Sequence, residues 1–378
     1  MKALKIKTLI FVLLSLLTKT AFSQEVFRLN SNWNNMPLND ISIPGTHNSF
    51  SNHADIPFQI PGTLNAKLSL AEQLSRGIRA IELDVHEALI SNRLVVGHIP
   101  TEHMFNASKP FAYFLKIVND FLLTHTNQFL VLKLQSFVPE GRINTELQKY
   151  PALLKLLFIH TQNKPIPNLK QLIKNNQRLI IVLGDKKYGS NLTQISTRNG
   201  LSNREDIYTA KNYSKGPSDA DLFDTANYNT SELGGSSPSD ARYNNESDRL
   251  EEFCVMAWAS TGKKPFRITV DYPSEGDVFK VANNLNNNYY SVKGSVQTKT
   301  GETLPSVTWN IHTGTSKKSI LLQNKITAGS FSFPLNKQYG HLNLTPISDT
   351  FRFSPETVMI DLNNYSKNNP LKFIATPK

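Results

Sequence analysis

Apolar positions along the chain change period several times, and each change marks an element. Ile81, Leu83 and Val85 alternate with Glu82 and Asp84 in G-I-R-A-I-E-L-D-V, which is the period of a strand. Phe111, Phe114, Leu115, Val118 and Leu122 recur at helical spacing after Ser108 and Pro110, so a helix is expected there as core packing. Ser69-Leu70-Ala71-Glu72 reads as a capping box opening a short helix, with Gly77 placed to end it. The pattern further predicts strands at 40–44, 93–97, 129–134, 179–183, 253–259 and 266–272. Helices are expected from Asn144 to about Phe158, from Asn168 to Asn175 and from Gly276 to Leu285. Residues 189–250 are polar and loop-like and read either as a lid over a site or as a surface insertion, the insertion being the plainer reading.

Strands and helices alternating over the first two thirds argue for parallel strands with crossover helices. From Tyr289 the texture changes to short alternating strands with turns, and Asn286-Asn287-Asn288 marks the expected boundary. The expectation is an α/β fold, a TIM-type irregular β/α barrel over 24–289 followed by a small all-β sandwich over 290–378. The start, M-K-A-L-K-I-K followed by T-L-I-F-V-L-L-S-L-L, has the basic and apolar regions of a secretory signal peptide, with cleavage expected after Ser23. A secreted or periplasmic location follows from that reading.

Composition narrows the picture less. The net charge of +11 suits an anionic surface or a phosphate substrate, and equally plain solubility. A single cysteine, Cys254, excludes an internal disulfide and a cysteine-based zinc cluster, and its apolar surroundings read as core.

The candidate chemistry concentrates between Ile41 and His98. Glu82 and Asp84 are two apart in a strand and leave the same face, about 7 Å apart along the chain. Unpaired carboxylates on one buried face repel, and a hard cation between them would relieve that. The alternative is a structural ion cluster with Arg76 or Arg79. His47 in I-P-G-T-H-N-S and His98 in V-V-G-H supply two histidines that can act as base and acid.

Together these motifs resemble the X region of phosphatidylinositol-specific phospholipases C, over roughly residues 33–185. Metal-free bacterial members carry an arginine where this chain has Asp84 and an aspartate where it has Asn48, so this chain is more similar to the calcium-dependent branch. The resemblance implies His47 as base and His98 as acid. It implies a divalent ion, calcium or else magnesium, at Asn48, Glu82 and Asp84. The fourth ligand of that branch is a glutamate, and Gln135 falls at its place, with one negative charge fewer. Asp271 falls where late-strand aspartates orient the first histidine in the metal-free members. The implied activity is cleavage of phosphatidylinositol by its own 2-hydroxyl, giving a cyclic inositol phosphate and diacylglycerol.

The implied partner is a phospholipid at a membrane surface, met peripherally by a monomer, with no nucleic acid. The segment from Gly294 resembles carboxypeptidase-regulatory-like sandwich modules, as spacer or binding module. Two other readings stay open: a metal-dependent glycerophosphodiester-type hydrolase, and a weakly active barrel whose sandwich binds a glycan or surface partner. His53, His103, His125, His160, His312 and His341 read as structural, and His86 as a pocket wall. Lys186 and Lys187 read either as phosphate contacts or as surface lysines.

Overall fold

The computed structural model describes residues 27–59, 62–98, 107–159, 165–183, 203–207, 222–227, 237–302, 304, 306–313, 319–325, 329–365 and 370–378. The expected signal peptide, Lys186, Lys187, His103 and His160 lie outside the described residues. Among those described, no helix is long and apolar enough to cross a membrane.

The first part is a mixed α/β unit built on one nine-stranded sheet. Its strands are β1 Ile43–Thr46, β2 Ala80–Glu87, β3 Leu94–Val96, β4 Lys109–Pro110, β5 Leu130–Ser136, β6 Leu179–Leu183, β7 Asn203–Ile207, β8 Leu222–Asn227 and β9 Pro265–Val270. Seven of them pair in parallel in the order β6-β5-β2-β1-β9-β8-β7. Strands β3 and β4 add antiparallel to the end of β2. The β1–β2–β9 junction is tight. A Cβ on Gly45 would meet Ala80 Cβ at 3.1 Å and Thr269 Oγ1 at 3.2 Å, so a larger residue would push the three strands apart by a few tenths of an ångström.

The helices form where the sequence signals place them, with exceptions. Ser69 caps Leu70–Arg76 with a complete capping box, and Gly77 ends the helix at φ 109°. Asn168 caps Leu169–Lys174 in the same way. Phe111–Thr124 buries Phe111, Phe114, Leu115, Val118 and Leu122. The expected helix from Asn144 to Phe158 is instead two short ones, Glu140–Leu147 and Pro151–Leu154. Pro139 starts the first, and Pro151, which lacks a backbone N–H, can only begin a new one.

Two further expectations are corrected. The run Phe253–Ala259 lies within the helix Ser247–Thr261, ended by Gly262 at φ 71°. A continuous apolar run carries no period, so it does not distinguish a buried strand from a buried helix. The stretch 189–250, expected as loop, contains β7 and β8 and the helix Pro238–Asn244. N-R-E-D-I has one apolar residue, and the apolar residues of L-F-D-T-A-N do not alternate, so neither shows the period of a strand.

The asparagine run, expected to mark a boundary, forms the end of the helix Val278–Asn288, directly before β10. Asn286 accepts from Ser42 N and donates to Ser42 O, and Asn287 accepts from the Trp33 indole. The chain then passes from one core to the other. Tyr289 packs on the first apolar cluster and Tyr290 on the second.

The second part has two four-stranded sheets. One joins β10 Tyr289–Thr298, β13 Ser330–Asn336, β15 Phe351–Ser354 and β17 Leu371–Pro377. The other joins β11 Ser306–Thr313, β12 Ser319–Lys325, β14 His341–Ile347 and β16 Val358–Asp361. Both contribute to one cluster around Trp309, which touches the rings of Phe331, Phe333 and Phe373.

Candidate functional site

His47 follows β1, and its backbone N–H donates to Val270 O, which ties it to the end of β9. The next residue, Asn48, takes a left-handed φ of 43°, as does Tyr272 at 46° after Asp271. Such backbone is costly for residues other than glycine and concentrates at functional sites. Here it turns the chain sharply after each of two facing polar residues. Ser49 then docks the loop onto β2: its N–H donates to Glu82 O at 2.9 Å and its hydroxyl accepts from Glu82 N at 3.0 Å. That docking sets Asn48 over the strand that carries Glu82 and Asp84.

His47 Nδ1 lies 2.8 Å from Asp271 Oδ1, and the carboxylate is almost wholly buried, at 2 % exposure. A carboxylate can only accept, so Nδ1 carries the proton and Nε2 is left as the basic nitrogen. Asn65 Nδ2 donates to the same Asp271 oxygen at 2.6 Å. Burial by itself pushes the His47 pKa down. The hydrogen bond to Asp271 and the charges of Glu82, Asp271 and Asp84 outweigh it, and the ring ends above its ordinary 6.5.

That direction has a measurable consequence. A histidine raised in the folded state adds stability that is full below its unfolded pKa and is lost as pH rises through the folded one. The melting-temperature difference between wild type and His47→Gln is therefore expected to be largest below about pH 6 and to narrow toward about pH 9. A difference that widens with pH contradicts the His47–Asp271 pairing.

His98 is held by the segment that also carries Asn65. Its Nε2 lies 3.1 Å from Thr63 O and 3.2 Å from Ser51 Oγ. Its Nδ1 lies 3.6 Å from Asp84 Oδ2, too long for a hydrogen bond but close enough for charge to act. The carbonyl accepts from Nε2–H, which aims Nδ1 at Asp84. Phe50 packs against the ring at 5.0 Å.

Glu82 and Asp84 share one face of β2, and β5 lies beside it with Glu82 opposite Lys133 and Asp84 opposite Gln135. Lys133 Nζ is 2.8 Å from Glu82 Oε1. Burial pushes the Glu82 carboxyl up, but Lys133, His47 and Arg267 together hold it below the ordinary range. The arginine alternative does not apply to Arg79, whose guanidinium donates to Gln128 and to the Leu74 and Ile78 carbonyls.

Three buried oxygens of the expected metal set have no hydrogen-bond partner: Asn48 Oδ1, Glu82 Oε2 and Asp84 Oδ1. Buried polar atoms without partners are costly, and a cation bound to all three removes the cost. Among the described residues no group of three or more His, Cys, Asp or Glu side chains could hold a metal, so a cation here would depend on the Asn48 amide. An all-oxygen set with one amide fits calcium or magnesium and not zinc. Gln135 stands beside Asp84 by register and is half-buried.

The structure thus brings His47, Asn48, His98 and Asp271, which follow β1, β3 and β9, together with Glu82 and Asp84 within β2. Sequence reasoning missed Asn65, Thr63, Ser51, Lys133 and Arg267. Lys133 had a signal, being the one charge inside L-V-L-K-L-Q-S and on the same face as Gln135. Asn65 had none, since it sits in a Pro- and Gly-containing loop without periodicity. His86 stacks on Phe137 at 4.2 Å and 5°, a half-exposed platform at the edge of the group.

No family model and no curated protein sequence matches the chain. Among solved structures it is similar to the phosphatidylinositol-specific phospholipase C from Listeria monocytogenes, with 18 % identity over 67 % of this chain and 96 % of that one, at a TM-score of 0.46. A mutant of the enzyme of the same description from Staphylococcus aureus shows 15 % identity over 70 % and 98 %, at 0.47. A calcium-dependent phosphoinositol-specific phospholipase C from a Pseudomonas species shows 14 % identity over 63 % and 83 %, at 0.33.

Proposed function

We propose that the chain is a phosphodiesterase of the phosphatidylinositol phospholipase C type, and that it cleaves its substrate by internal attack of a neighbouring hydroxyl. The observation that carries this reading is the pair of histidines with opposite hydrogen-bonding arrangements. His47 is fixed through Nδ1 by a buried carboxylate, leaving Nε2 basic. His98 is fixed through Nε2 by a carbonyl, turning Nδ1 toward Asp84. Two histidines held through different nitrogens supply the separate base and acid that cleavage of a phosphodiester requires.

In this reading His47 removes the proton from the inositol 2-hydroxyl and Asp271 stabilises the imidazolium that forms. His98 donates a proton to the leaving oxygen. Asn48, Glu82 and Asp84, with Gln135 as a weaker fourth ligand, would hold calcium or magnesium. Such an ion, when bound, would acidify the hydroxyl and neutralise the phosphate. The substrate would be a phospholipid met at a membrane surface, outside the cell or in the periplasm. We read the parallel strands as the wall of a TIM-type barrel over 24–289, and the two sheets after Tyr289 as a sandwich over 290–378.

The test is phosphorus NMR of phosphatidylinositol vesicles incubated with the protein and calcium. A cyclic inositol phosphate is expected. A linear phosphate as the first product points to the hydrolase alternative and ends the internal-attack reading.

A further inference from the structure

We propose that Lys133 is a built-in counter-cation that holds Glu82 and keeps the divalent-ion affinity of Asn48, Glu82 and Asp84 low. The inference rests on the reading of those three residues as a cation site. It concerns how that site is loaded, which the resemblance to a calcium-dependent branch leaves open.

Lys133 and Glu82 face each other across the parallel pair β2–β5, in register. Their side chains are only 6 % and 4 % exposed, and the ammonium sits 2.8 Å from Glu82 Oε1. Glu82 therefore has one oxygen committed and one, Oε2, open and buried. Arg267, on β9 and itself buried, adds a second positive charge that acts on Glu82.

A divalent ion reaching Oε2 would meet these positive charges in a poorly screened interior, and the repulsion opposes its binding. Without the ion, Lys133 already balances the charge of Glu82. Breaking a buried pair by removing one partner leaves an uncompensated charge. Removal of the Lys133 charge should therefore do two things at once. It should weaken the metal-free protein, and it should turn Glu82 into a full ligand that calls for an ion.

The same arrangement links ion and substrate. An anionic phosphodiester at the site brings negative charge that offsets Lys133 and Arg267. The ion is then expected to be held more tightly when substrate is present.

The experiment is calorimetric titration of the full chain with calcium chloride, for wild type and Lys133→Met, with melting temperatures taken in chelator and in calcium. Lys133→Met is expected to bind calcium at least about tenfold more tightly than wild type, a change of about 1.4 kcal/mol. Its melting point is expected to fall in chelator and recover with calcium. Adding Glu82→Gln to the same chain should remove both the gain and the recovery. Lys133→Gln can still donate to Glu82 without charge, and it should show the same gain should the methionine variant fail to fold. Calcium affinity unchanged or weaker without the Lys133 charge overturns the proposal. Uptake of calcium by none of the variants also overturns it, by removing the cation site. Cyclic product formed in chelator would then show that the phosphodiesterase reading survives.

Discussion

His47→Ala is expected to lower the rate of cyclic phosphate formation by about 10²–10⁴-fold, the range general base catalysis contributes. The 2-hydroxyl is a poor nucleophile until a proton leaves it, and His47 has a basic nitrogen left by its hydrogen bond to the buried Asp271 carboxylate. Asp271 raises the proton affinity of that ring and fixes which nitrogen is basic. His98→Ala is expected to fall in the same range for a natural glycerol leaving group, because an alkoxide cannot depart without a proton. Cyclic inositol phosphate formation followed by phosphorus NMR checks both, and unaltered rates in both variants would leave the site without a role.

Trp309→Ala is expected to cost about 3–5 kcal/mol, the range for deleting a large buried aromatic. Trp309 has 0 % exposure and packs against Phe331, Phe333 and Phe373, so its loss leaves a cavity that three rings cannot all fill. The cluster is separate from the apolar cluster beneath the candidate site, and the chain crosses between them at Tyr289 and Tyr290. Denaturant unfolding should therefore show an early transition for the variant. Cleavage of a soluble substrate should persist through that transition. If activity and the second cluster are lost together, the two-sheet part supports the site directly, and the spacer reading fails.

How much of this was legible in the sequence depends on the kind of signal. Caps with local side-chain chemistry read directly: Ser69 with Glu72, and Asn168 with Gln171, start helices where their hydrogen bonds close. Alternation read directly on β2, where Ile81, Leu83 and Val85 are buried opposite the carboxylates. Strands β7 and β8 did not, because β7 has a single apolar residue and the apolar residues of β8 do not alternate. The helix across Phe253–Ala259 did not, because its apolar residues run without a period.

The site shows the same division. His47, Asn48, Glu82, Asp84 and His98 sit in short motifs, and the structure gathers them. Asp271 lies 224 positions from His47 and meets it only because β1 and β9 pair in parallel. Lys133 meets Glu82 through the register of β2 and β5, which no local pattern encodes. What depends on register between distant strands had to wait for the fold.

The division of labour between the two histidines is tested most directly by changing the leaving group. Wild type, His47→Ala and His98→Ala would each be assayed on an inositol phosphodiester with an alkyl alcohol leaving group and on one with a nitrophenol. Nitrophenolate departs without a proton, so the account predicts that His98→Ala loses activity on the alkyl ester and keeps most of it on the nitrophenyl ester. His47→Ala should lose activity on both, since the nucleophile is the same. An equal loss by His98→Ala on the two esters would contradict its role as the acid, and with it the assignment on which the proposed function stands.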